Sequence, residues 1–139
     1  MKDYKVCYIN SDDVVKFGFN STSIIADERT RLVQRVLKLL LTKTNSNTYN
    51  PKYGSSFGDM IGGTFEKGKH AEVTSFLKLG VATVEKIILE EQLNDTTLSD
   101  EGRLERIVIM SVDEDLTNLG WNVTLSIYTK SGRAYIARI

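Results

Sequence analysis

Among 139 residues the chain has one cysteine, one proline and one histidine. Each scarcity excludes something. A lone cysteine, Cys7, cannot form a disulfide within the chain, which points to folding in a reducing compartment. Its setting in an apolar stretch reads as a small buried hydrophobe rather than a nucleophile. A lone histidine, His70, leaves no multi-histidine metal site or recognisable hydrolase triad, and is expected at the surface near a helix start. Charge of one sign is missing too: 18 basic residues balance 18 acidic ones. That balance gives no electrostatic reason to expect nucleic acid or an anionic membrane as a partner. No apolar run approaches the roughly 20 residues needed to cross a bilayer. The opening MKDYKVCYINSDD lacks a charged segment followed by an apolar one, so no signal peptide is expected. The sequons at Asn20 and Asn122 are accordingly read as chance. There is no Gly-Lys-Ser/Thr phosphate loop, internal repeat or low-complexity tract.

What remains has ordinary globular proportions, with 41% apolar and 26% charged residues. A chain of this length is expected to form a single domain, 1–139, with residues 1–27 as N-terminal strands or an arm. Residues 4–9 and 14–19 are β-branched and aromatic, and Asn10–Asp13 between them reads as a turn. Asp27 is a good N-cap for a helix from Glu28 to Leu41, whose Leu32, Val33, Val36, Leu37 and Leu40 form one stripe. Arg29, Arg31, Arg35 and Lys38 lie off that stripe and read as a solvated face. A second helix is expected from Ala71 to Leu93. Gly80 in its middle is either a site of close backbone approach or a tolerated defect costing about 1 kcal/mol. The last third reads as β. Residues 106–112 are apolar enough for a strand covered on both faces. Residues 121–129 alternate, Lys130-Ser131-Gly132 turns, and 133–139 return. The fold class that follows is α+β: an antiparallel sheet from the C-terminal third packed with two main helices.

Between the helices lies TKTNSNTYNPKYGSSFGDMI, residues 42–61. Polar linkers rarely combine a rigid proline, an aromatic and a glycine that tolerates positive φ. Phe57, Met60 and Ile61 are spaced for a helical turn docked by its apolar side, stopped at Gly62-Gly63.

Candidate chemistry is thin. Asp59 and Glu66 flank that turn and are a conceivable glycosidase pair. Such a pair needs two carboxyls about 5–10 Å apart, one with a raised pKa. A capping or solvated Asp59 and a charged-loop Glu66 are the plainer reading. Asp113-Glu114-Asp115 lacks the order of a calcium loop and reads as an acidic turn after a strand. No metal site and no cofactor is expected.

The block Leu41-Thr42, Pro51, Tyr53, Gly54, Ser55, Phe57 and Ile61 resembles the signature of the baseplate wedge proteins of contractile phage tails. These carry the historical label "tail lysozyme" but act as sheath initiators. The resemblance covers about residues 28–139. Two departures stand out. The family's loop Gly-Glu is Asn45-Ser46 here. Its Glu-Pro-Arg signature is Leu104-Glu105-Arg106, so only Arg106 carries over, with Glu105 in a neighbouring position. The resemblance implies a non-enzymatic virion component in the tail baseplate, folded and assembled in the host cytoplasm. It implies six copies per baseplate. The implied partners are the tail sheath protein, the baseplate wedge core proteins, and tail tube or hub proteins. It further implies that Arg106 and Glu105 dock the wedge, and that the terminal strand, Tyr135, Ile136, Ala137, Arg138 and Ile139, accepts arms of sheath subunits by strand addition. On that reading a proline at Ala137 blocks sheath polymerisation while sparing the monomer. Two other functions stay open: a cell-wall muramidase, which the family's older name suggests, and a generic assembly adaptor.

Overall fold

A computed structural model describes residues 7–17, 27–44, 49, 52, 54, 55, 57, 70–115 and 120–139. The fold is α+β. A hairpin of β1 (Cys7–Ile9) and β2 (Val15–Phe17) precedes helix α1 (Glu28–Leu41) and helix α2 (His70–Gln92). A 3-10 turn at Asp100–Gly102 then leads into β3 (Leu104–Asp115), β4 (Gly120–Thr129) and β5 (Ala134–Arg138). These last three form an antiparallel sheet in the order β3-β4-β5.

Each element has a local cause. Asn10 makes the first turn: its Oδ1 accepts from the amides of Asp12 at 2.9 Å and Val14 at 3.0 Å. This fixes Asp13 at φ +60°, a conformation that Asp tolerates better than most residues. Asp27 caps α1 by accepting from the Thr30 amide at 2.9 Å. Its carboxyl lies below the usual carboxylate range. Burial opposes the charged form, but hydrogen bonds from Thr30 and from Arg29 outweigh it. The α2 end has no basic residue in its last turn and is closed from outside. Arg103 Nη1 donates to the Gln92 carbonyl at 3.2 Å, and its Nη2 donates to the Asp95 carbonyl. Gln92 binds back, donating to the Gly102 carbonyl at 2.8 Å and accepting from the Leu104 amide at 2.9 Å.

The core is one cluster. Helix α2 packs on β3, and α1 packs on α2 and on β1. The inner faces of β4 and β5 contribute Val123, Leu125, Ile127, Tyr135 and Ala137, all at most 1% exposed. The alternation expected of β4 is present. The expectation for β3 needs correcting: it is an edge strand with one face open, not a strand covered twice. Two bulges, at Glu105 and at Met110, keep Leu104, Ile107, Ile109 and Val112 facing inward. Val108 and Met110 are left 37% and 58% exposed. The acidic run is not a turn either, since Asp113 to Asp115 lie within β3. Cys7 is fully buried, and its amide donates to Gln34 Oε1 at 3.2 Å.

Candidate functional site

Three sets of residues carried functional expectations, and the structure treats them differently. The first is the linker block. Pro51, Tyr53 and Ile61 lie outside the described residues, as do Asp59 and Glu66. Thr42, Gly54, Ser55 and Phe57 are described, and they form a joint between the two helices. The Ser55 amide donates to the Thr42 carbonyl at 3.1 Å, and its Oγ donates to the Leu40 carbonyl at 2.7 Å. Thr42 Oγ1 in turn donates to the Lys38 carbonyl. Two end carbonyls of α1 thus find partners in chain thirteen or more positions away rather than in water. Ser55 is buried, and a parallel bridge joins it to Lys43.

Gly54 stands at φ +122°, and a methyl group there would meet the Thr42 carbonyl oxygen at 2.5 Å. Phe57 then lies across Gly80 of α2. A methyl at Gly80 would come 2.9 Å from Phe57 Cβ and 3.2 Å from its amide nitrogen. Of the two readings of Gly80, close approach is the one realised. The block therefore welds the end of α1 to the middle of α2.

The second set is Glu105 and Arg106. Both are exposed at the start of β3, and both already have partners in the chain. Glu105 pairs with Lys130 at 2.7 Å. The hydrogen bond and charge of Lys130 hold its carboxyl below the ordinary range. The guanidinium of Arg106 lies 4.6 Å from the centre of the Tyr128 ring. The expected solvated face of α1 is likewise partly tied down, with Arg29 on Asp27 and Arg35 on Glu91.

The third set is the terminal strand. Val123 and Ile139 exchange amide–carbonyl bonds of 2.9 Å in both directions. The alternation of an antiparallel ladder then turns the main-chain groups of Ala137 and Tyr135 toward β4 as well. Tyr135, Ala137 and Ile139 are therefore committed within the sheet. The groups facing outward belong to Ala134, Ile136 and Arg138. Ile136 is engaged: its amide donates to the Asp13 carbonyl at 2.9 Å, beside a parallel bridge to Val14. The amides of Ala134 and Arg138 have no hydrogen-bond partner among the described residues. A proline at Ala137 would break the β4–β5 ladder itself, so it does not test the outer rim.

One contact was not anticipated. His70 does open α2, and its Nε2–H donates to the Val112 carbonyl on β3 at 2.7 Å. Its ring lies 5.8 Å from that of Trp121. A polar residue at a helix start carries no sequence signal for a distant strand carbonyl. Among the described residues no group of His, Cys, Asp or Glu is arranged to hold a metal ion. No described helix is long and apolar enough to cross a membrane. No family model, curated protein or solved structure matches this chain.

Proposed function

We propose that the chain is a structural component of a contractile-tail baseplate that starts sheath assembly by accepting an extended arm along its sheet. One observation carries the reading. The last strand ends the sheet with an outer rim on which, among the described residues, only Ile136 is engaged, by the tip of the Asn10–Asp13 turn. The outward amides of Ala134 and Arg138 flank that contact. Strand addition needs such unpaired main-chain groups more than it needs any particular side chain. The welded joint of Thr42, Gly54, Ser55 and Phe57 supports the same reading, since these four motif residues meet in space rather than only in order. Glu105 and Arg106 remain surface-exposed at the start of β3, where a helical wedge partner can reach them.

The test is seeded polymerisation of purified sheath subunits. Arg138→Pro removes an outward amide at a position where an edge strand tolerates proline. The expected result is a folded protein that no longer nucleates sheath. Nucleation at the wild-type rate by a folded Arg138→Pro variant refutes the proposed use of this rim.

A further inference from the structure

Among the described residues the outer rim of β3 is covered by two side chains and by no strand. Val123 and Ile127 of β4 turn their main-chain groups toward β5, so the β3 residues opposite them, Val112 and Ile107, turn theirs outward. By the same alternation Ile109, opposite Leu125, faces this rim too, and of the three Ile107 and Val112 are each capped once from α2. The Ile107 amide donates to Glu85 Oε2 at 3.2 Å, and the Val112 carbonyl accepts from His70 at 2.7 Å. Beside the Glu85 cap lies a groove of about 660 Å³, lined by Val81, Ala82, Ile107 and Ile109.

The capped groups are an N–H and a C=O, and each is what the other lacks. Consider β3 laid antiparallel against β3 of a second copy, with the two-fold axis between Ile109 and Met110. Ile107 then faces Val112 of the copy, and Val112 faces its Ile107. The amide now held by Glu85 meets the carbonyl now held by His70, twice by symmetry. This register depends on the bulge at Met110, which lets two residues five apart present their main chain to the same rim. The same register sets Arg106 against Asp113 of the copy, both on the open face of the sheet, so the basic end of one strand meets the acidic end of the other. A net charge of zero gives the copies no long-range repulsion.

We propose that β3 carries a latent two-fold interface for a second copy of this chain, and that Glu85 and His70 are the guards that keep it shut. Edge strands are commonly protected by charged side chains, and here the protection is two hydrogen bonds from one helix.

Sedimentation equilibrium on wild type and on Glu85→Ala/His70→Ala tests this. The wild type stays monomeric, and the guardless variant doubles in mass as concentration rises. Glu85→Ala alone is the safer variant, because alanine favours the helix and the change frees the Ile107 amide of both copies. It should dimerise more weakly than the double variant. Adding Asp113→Arg to the guardless protein abolishes the dimer, and adding Arg106→Asp on top restores it. Three results overturn the proposal: a folded guardless variant that stays monomeric, a wild type that already pairs through β3, or a dimer indifferent to the charge reversal.

Discussion

Replacing Gly54 with alanine tests the joint between the helices. Two costs apply. An L-residue at φ +122° is strained by about 1–3 kcal/mol. The added methyl would also stand 2.5 Å from the Thr42 carbonyl oxygen and 3.0 Å from the Lys43 carbonyl carbon. Those are main-chain atoms and cannot swing aside, so residues 42–43 and 54–55 must separate. Separation stretches the bond from the Ser55 amide to Thr42, worth about 1 kcal/mol. The sum is a loss of about 2–4 kcal/mol. Gly132→Ala is the internal reference. Gly132 has φ +90° but nothing within 4 Å of the added methyl, so it carries the conformational cost alone. Urea denaturation of both variants, with unchanged slopes, should place Gly54→Ala about 1 kcal/mol below Gly132→Ala. Equal losses would refute the close approach, and a loss at Gly54 under about 0.5 kcal/mol would refute the positive φ as well.

Gly80→Ala should destabilise although alanine is the better helix former: overpacking against Phe57 costs about 1–3 kcal/mol against about 1 kcal/mol of propensity gained. In a Phe57→Ala background the same change should turn neutral or stabilising, which a double-mutant cycle reads directly. Asp27→Ala should cost about 1 kcal/mol at neutral pH through loss of the α1 cap. Because the folded carboxyl is held below its unfolded value, that stabilisation is fully present above the unfolded pKa and disappears as pH falls through the folded one. Wild type and Asp27→Ala should therefore converge in acid, and a gap that persists unchanged below both values contradicts the assignment. Tyr135→Phe should be neutral or slightly stabilising. Its buried hydroxyl lies near enough to Arg29 to act on that charge, yet no well-formed hydrogen bond from a described residue reaches it. A thermal melt showing a drop of several degrees would mean the hydroxyl is satisfied after all.

The elements legible in the sequence were those whose signal is local. Asp27 followed by the stripe from Leu32 to Leu40 fixed both the start and the face of α1, and alternation through Val123, Leu125 and Ile127 fixed β4. Periodicity says which face is buried only when the period is unbroken. In β3 the bulges at Glu105 and Met110 insert residues that pair with nothing, so the strand reads as apolar on both sides when only one side is covered. The block around Gly54 was legible as unusual, but its purpose was not. A glycine next to a serine gives no hint that a main-chain oxygen from a helix end twelve residues earlier occupies the missing side chain's place. The terminal strand was legible as a strand. Which of its residues face outward depends on the register set by Val123 and Ile139, and that is a property of the pair.

The two rims of the sheet are closed by different means, and the difference decides how each can open. On β5 the cover is main chain: the tip of a hairpin anchored by Val15 in the core and by the Cys7 amide on the buried Gln34. Releasing Ile136 means moving that hairpin, so an incoming arm is expected to pair beside it, at Ala134 or Arg138, rather than to replace it. On β3 the cover is two side chains, and rotating Glu85 and His70 away disturbs no packed backbone. Each such bond contributes about 1 kcal/mol net, more for the charged acceptor. An arm offering both an amide and a carbonyl returns what the guards gave up. The β3 rim is thus the easier of the two to open, and it stays shut only against partners that do not replace both bonds together.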